Sequence, residues 1–262
     1  MTRPIAIIGD IHGEATKLKE LISQLRSRFG MDIDLYGVGD FIDRGPDSKT
    51  VLQICVDEDI KGVMGNHETW LFEYATENTL NMRFACYPMI GGRATLRSYG
   101  VPDSVHGSGE AKEILERTMP FEHRKFIRDL PLYRKVEVGD WTVWITHAGI
   151  KSSTAVLSQR FHFDNDDFVE AIAQTNTNAL LWEHFDHRAP RIWAPGANQI
   201  QVFGHTAIPN VMDWGYFVAV DTGCGRKRHR EDRPNALSCV VVHPDGRREI
   251  FVSQVPLCSG PT

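Results

Sequence analysis

A chain of 262 residues with 42% hydrophobic and 24% charged side chains can bury the core of one large α/β domain, and a single domain over 1–262 is expected. Its net charge of −5 excludes a general nucleic-acid binder or a protein held on an anionic membrane, since both roles want a basic field, and no apolar run is long enough to span a bilayer. Five scattered cysteines (Cys55, Cys86, Cys224, Cys239 and Cys258) without C-x-x-C spacing, behind a start with no signal-peptide pattern, point to reduced thiols and a cytoplasmic location.

In chain order, Ile5-Ala6-Ile7-Ile8 is an unbroken apolar run ending at Gly9, the pattern of a central parallel strand buried on both faces. Leu18, Leu21, Ile22, Leu25 and Phe29 recur at helical spacing and predict a crossover helix. Leu35 to Val38 predicts a second strand, Val51, Leu52, Ile54 and Cys55 a second helix, and Gly62-Val63-Met64 a third strand. This β-α-β-α-β succession demands right-handed crossovers and parallel pairing. The stretch 69–130 is polar and helical and reads as a cap insertion. Strands resume at Leu132 to Val138 and Trp141 to Thr146 around a Gly139-Asp140 turn, then at Gln201 to Phe203, Phe217 to Val220, Leu237 to Val242 and Glu249 to Val252. Two mixed β-sheets packed together with helices outside, a four-layer αββα sandwich, is the expected fold.

Each of the first three strands ends in glycine followed by a side chain able to bind a metal: Gly9-Asp10-Ile11-His12, Gly39-Asp40 and Gly65-Asn66-His67-Glu68. Two later strand ends supply His147 and His205 in the same way. Ligands of open α/β sheets bind outside the carboxyl ends of the strands, so these ends converge on one crevice. The set Asp10, His12, Asp40, Asn66, His147 and His205 mixes oxygen and imidazole donors, which suits manganese, iron or zinc better than calcium. Six ligands exceed what one open catalytic ion takes and suit two ions bridged by one carboxylate.

Gly-Asp-x-His-Gly at 9–13, Gly-Asp-x-x-Asp-Arg-Gly at 39–45, Gly-Asn-His-Glu at 65–68, His-Ala-Gly at 147–149 and Gly-His-Thr at 204–206 resemble the phosphoprotein phosphatase family of calcineurin-like metallophosphoesterases, in the family's order. The stretches 91–96, 180–182 and 220–224 are similar to its bacterial and phage branch, which includes serine/threonine protein phosphatases and symmetrical diadenosine tetraphosphate hydrolases. The resemblance implies direct hydrolysis of a phosphate ester by water activated between two divalent cations, most typically manganese. It assigns one ion to Asp10, His12 and Asp40 and the other to Asp40, Asn66, His147 and His205. His67 becomes the general acid, Asp43 its orienting partner and Arg44 a clamp on the phosphoryl oxygens. The implied substrate is a phosphorylated protein or a small phosphate ester. Asp43 favours a phosphomonoesterase, because the tetraphosphate hydrolases commonly carry a non-acidic residue there.

The sequence departs from the family in two places. The arginine expected two residues after the tryptophan of Leu180-Leu181-Trp182 is replaced by His184, and Arg191, with Arg188 as the alternative, is the expected substitute on the substrate. The segment 225–233 carries a basic run where relatives have a shorter glycine-rich turn, and is expected to be a solvated loop or a rim for acidic substrate groups.

Overall fold

A computed structural model describes residues 3–76, 90–153, 165–226 and 235–253. The first strand, β1 (Ile5–Ile8), is completely buried, and its alternation divides the molecule: Ile5 and Ile7 enter a core between two sheets, Ala6 and Ile8 a core beneath helices. Helix α1 (Ala15–Phe29) buries Leu18, Leu21, Ile22 and Leu25 on that second core and stops at Gly30, whose φ of 63° a side chain rarely adopts. Strand β2 (Asp34–Gly37) pairs parallel with β1, and helix α2 (Ser48–Asp57) is capped by Asp47, whose carboxylate accepts the Thr50 N–H. Strand β3 (Lys61–Gly62) pairs parallel with β2 over two residues only. The expected third strand is shortened because the Met64 N–H already turns to the Pro131 carbonyl.

Helices α3 (Asn66–Thr76), α4 (Gly92–Ser98), α5 (Gly109–Thr118) and α6 (Phe121–Arg128) make up the described part of 69–130. They are helical as expected, and Leu96, Tyr99, Leu115 and Ile127 join Leu18, Leu21 and Val51 in one core, so this segment thickens the helical layer over the first sheet. Strands β4 (Tyr133–Val138) and β5 (Trp141–Thr146) form the expected hairpin. After them come α7 (Asn165–Thr175), α8 (Asn178–Leu181), β6 (Gln199–Phe203), β7 (Met212–Asp213), β8 (Phe217–Ala219), β9 (Leu237–Val242) and β10 (Arg248–Ser253).

The sheets run β10-β9-β1-β2-β3 and β4-β5-β6-β8-β7, each mixing parallel and antiparallel pairs. Their facing sides share a core of β-branched residues, including Ile5, Ile7, Val38, Val143, Ile145, Val202, Val218, Val240 and Val242, each contributing about 1.5–3 kcal/mol of burial. Trp144, Phe168, Val169, Leu180 and Trp193 fill the opposite side of the second sheet under α7 and α8. The result is the four-layer αββα sandwich with two mixed sheets. Among the described residues no helix is long and apolar enough to cross a membrane.

Candidate active site

The carboxyl ends of β1, β2 and β3 in one sheet and of β5 and β6 in the other open at the same edge of the sandwich, and the loops after them bring the five motifs together. Asp10 lies after β1, and its carboxylate accepts the His205 N–H at 3.1 Å and 3.2 Å, tying the loop after β6 to the loop after β1. Asp40, after β2, is central. Its Oδ1 accepts the His67 N–H at 3.0 Å and lies 3.4 Å from His147 Nε2, while Oδ2 lies 3.5 Å from His12 Nε2 and 3.7 Å from His67 Nε2. Asp10, His12, Asp40, Asn66, His67, His147 and His205 are all buried.

The imidazole tautomers follow from their backbone bonds. His147 Nδ1 donates to the Val38 carbonyl at 2.8 Å, which leaves an Nε2 lone pair facing Asn66 Oδ1 at 2.8 Å. His12 Nδ1 donates to the Ile42 carbonyl at 3.0 Å, leaving its Nε2 lone pair to accept from the Arg44 guanidinium at 2.5 Å. Acceptors aimed at one another without a proton to share call for a cation, and here a guanidinium proton already occupies one such lone pair. Donor atoms of His12, Asp40 and His67, and separately of Asp40, His147 and His205, lie close enough to hold a metal ion. Asp40 belongs to both groups, as expected of a bridge. The first group contains His67, while Asp10 stands a little farther off, its Oδ2 3.9 Å from His12 Nε2.

Burial sets the protonation states this chemistry needs. Desolvation lowers His12, helped by the Arg44 charge, lowers His147, and brings His205 down to about 3, so all three imidazoles are neutral and able to coordinate. Burial opposes ionisation of Asp40, yet the surrounding imidazoles of His147, His67 and His12 and the Arg44 guanidinium hold its carboxyl well below the usual range. Asp10 is pushed well up by burial and by the neighbouring Asp221 and Asp40 carboxylates, a repulsion that bound cations would relieve. The donor set therefore fits divalent metal.

Around this centre, His67 Nδ1 lies 2.7 Å from Asp43 Oδ2, with both side chains fully buried. Arg44 reaches His67 Nε2 at 3.0 Å as well as His12. Among the described residues, neither Arg188 nor Arg191 makes a side-chain hydrogen bond or ion pair with a site residue. Both are exposed; the bonds at these residues are made by backbone atoms, Arg188 N–H to Asp186 and the Arg191 carbonyl to Ser152 N–H. His184 instead stacks on His205 with ring centroids 4.4 Å apart and bonds Thr206 Oγ1 at 3.2 Å. Of the basic run 225–233, residues 227–233 lie outside the described residues.

A sequence model of the family described as calcineurin-like phosphoesterase matches residues 3–209. The chain belongs to the calcineurin-like phosphoesterase family. This phosphoesterase is 28% identical over 226 residues to serine/threonine-protein phosphatase 2 of Escherichia coli (strain K12), covering 84% of this chain and 88% of that one. It is 25% identical over 203 residues to a symmetrical bis(5'-nucleosyl)-tetraphosphatase of Acidovorax sp. (strain JS42), covering 74% of this chain and 61% of that longer protein. Among solved structures, a proposed diadenosine tetraphosphatase superposes with a TM-score of 0.60 at 19% identity over 97% of this chain and 95% of that one, a likeness of fold alone. The family and these relatives make the protein a metal-dependent phosphoester hydrolase.

Three residues of the phosphoesterase site carry roles that reading the motifs did not supply. Glu68 is fully buried and accepts the N–H groups of Asp40 at 2.9 Å, Phe41 at 2.8 Å, Ile42 at 3.4 Å and Gly65 at 3.1 Å, so it fixes the turn that presents Asp40. Burial and the Asp40 charge push its carboxyl up to about 8. Thr95, on α4, donates to Asp43 Oδ1 at 2.5 Å, linking the inserted helices to the His67 dyad. Asp221, after β8, is buried beside Asp10 with Oδ1 accepting Gly223 N–H at 2.8 Å. The glutamate was visible in the Gly-Asn-His-Glu motif; the pairing of residues 43 and 95 has no local signal.

Proposed function

We propose that this phosphoesterase is a phosphomonoesterase acting on phosphoserine and phosphothreonine in proteins, phosphotyrosine included, with two divalent ions, manganese in the cell, bound at the Asp40-centred site and the cytoplasm as its location. The observation that carries the reading is the buried Asp43–His67 pair at 2.7 Å. An alkoxide is a poor leaving group and needs a proton at the transition state, and a histidine held by a carboxylate is suited to give it.

When bound, the divalent ions supply positive charge that ionises a water and neutralises the phosphoryl oxygens. Asp10, His12 and Asp40 would hold one ion, and Asp40, Asn66, His147 and His205 the other. Arg44 leaves His12 and His67 for two non-bridging phosphoryl oxygens, which its planar fork of donors matches. That departure frees His67 Nε2 to carry a proton, which passes to the leaving oxygen as the phosphorus–oxygen bond breaks, while Asp43 stabilises the imidazolium beforehand. Asn66, with its amide group facing His147 and His205, also contacts the substrate.

A second reading, a symmetrical dinucleoside tetraphosphatase, is favoured by the aromatic flank of the site. Trp70 packs 5.0 Å from His67 and 4.9 Å from Trp182, both indoles partly exposed, and such a ledge suits a stacked base. Comparing kcat/KM of metal-reconstituted protein on phosphopeptides, aryl phosphates, bis-aryl phosphates and diadenosine tetraphosphate separates the two. Phosphopeptides are expected to lead the dinucleotide by at least about tenfold, a difference of about 1.4 kcal/mol in transition-state binding. A lead for the dinucleotide transfers the assignment to the second reading, and no turnover of any ester refutes both.

A further inference from the structure

Helix α4 of the inserted segment reaches the site through hydroxyl and carbonyl groups. Thr95 Oγ1 lies 2.5 Å from Asp43 Oδ1, 3.0 Å from the Asp43 nitrogen and 2.8 Å from the hydroxyl of Ser48, the first residue of α2. Ser48 Oγ also accepts the Asp43 N–H, at 3.0 Å. Ser48, Thr95, Asp43 and His67 are each 0% exposed, so these groups satisfy one another.

An ionised carboxylate only accepts, and that fixes the protons along the chain. Thr95 gives its hydroxyl proton to Asp43 Oδ1, so its lone pairs take the Asp43 N–H and the Ser48 hydroxyl. Asp43 Oδ2 takes His67 Nδ1–H at 2.7 Å. With a donor on each oxygen, the carboxylate cannot turn without breaking one of the two bonds. The backbone is held from the same side. Asp43 and Arg44 have φ of 73° and 66°, a conformation that persists in side-chain-bearing residues where the surroundings impose it. The two hydroxyls grip the Asp43 N–H, and the Gly91 carbonyl, just before α4, accepts the Arg44 N–H at 3.3 Å. A Cβ on Gly91 would meet the Arg44 nitrogen at 2.6 Å, so this approach needs glycine, and the Lys49 N–H closes the seam between α2 and α4 on Ser98 Oγ at 3.2 Å.

We infer that Thr95 is a positioning residue for proton delivery: backed by Ser48, its hydroxyl holds the Asp43 carboxylate in line with His67 Nδ1 and thereby aims His67 Nε2 at the leaving oxygen. The inference rests on His67 serving as the general acid. It makes protonation of the leaving group depend on the docking of an inserted helix against α2, and it differs from a purely structural role, in which loss of Thr95 would weaken turnover of every ester alike.

The test uses metal-loaded full-length protein and measures kcat and KM on a matched alkyl and aryl phosphate pair, together with bound metal per chain. Thr95→Val keeps the shape and removes the hydroxyl. Its kcat on the alkyl phosphate should fall by about tenfold or more, the loss expected of a hydrogen bond to a charged group. Its kcat on the aryl phosphate, both KM values and bound metal should stay within about twofold, because only the poorer leaving group needs the proton. Thr95→Ser should restore most of the alkyl rate, and Ser48→Ala, which leaves the Thr95–Asp43 bond in place, should show a smaller loss of the same selectivity. Added to Asp43→Asn, Thr95→Val should cost little more, since residues acting as a unit are not additive. An alkyl kcat within about twofold of wild type in Thr95→Val, or equal losses on both esters, overturns the inference; should that variant not fold, the same two outcomes in Ser48→Ala do so. His67→Asn in the same assay sets the two failures apart. Equal losses there take the acid role from His67 and the inference with it, whereas a loss confined to the alkyl ester in His67→Asn but missing from Thr95→Val overturns the Thr95 assignment alone.

Discussion

His12, Asp40, Asp43, Arg44 and His205 all hold φ between 48° and 73°, a region side-chain-bearing residues rarely adopt and that costs about 1–3 kcal/mol at each position. Five such residues around one centre mark backbone bent to aim side chains rather than to close loops. Asp43 and Arg44 are consecutive in this region, which sends one side chain inward to His67 and lets the next reach across the centre. If His67 delivers the proton and Asp43 orients it, His67→Asn and Asp43→Asn each lower kcat on alkyl phosphates by about 10² or more and lower it less on aryl phosphates, whose leaving groups need less protonation. Combining them should add little, because residues acting as a unit are not additive. Steady-state kinetics on a matched alkyl and aryl pair check this, and equal losses on both would take the acid role from His67.

At the scale of elements, Glu68 in the first turn of α3 joins the loop after β2 to the end of β3 through one carboxylate. Each of its oxygens accepts from two backbone N–H groups, Oε1 from Phe41 and Ile42, Oε2 from Asp40 and Gly65. An amide nitrogen cannot accept, so Glu68→Gln leaves two buried N–H groups unpaired at about 1–3 kcal/mol each. Chemical denaturation should show that loss of stability, and metal analysis a lower metal content from the displaced Asp40 turn; an unchanged midpoint would mean that Glu68 does not organise the turn. The strand ends themselves were legible in sequence, since glycine followed by Asp, Asn or His at the close of an apolar run marks both the end of a strand and the chemistry beyond it. Strand β7 and helix α8 were not, because β7 is two residues long and α8 only four, too short for any periodicity to register.

Across the whole molecule, the four layers follow from the period-two division of strands such as β1 and β9, which send alternate side chains to the inter-sheet core and to the helices. The first sheet joins β1, β2 and β3 to the C-terminal strands β9 and β10, and its apposition to the second is what brings Asp40 on one sheet to His147 and His205 on the other. Pairings across that gap, His147 to Val38 and His205 to Asp10, span 109 and 195 residues, and Thr95 to Asp43 on the first sheet's side spans 52; none leaves a local trace.

The account turns on a carboxylate shared between two groups of metal donors, and one experiment addresses it directly: bound metal and aryl phosphate hydrolysis measured together while chelated protein is titrated with manganese, in wild type and in Asp40→Asn. Wild type should be inactive after chelation, regain activity in step with uptake, and saturate at two ions per chain. Asp40→Asn should bind less than that and lose at least about 10² in kcat, a loss of about 2.7 kcal/mol in transition-state stabilisation. Full activity in the chelated wild type, or an Asp40→Asn variant that binds two ions and turns over normally, would contradict the account.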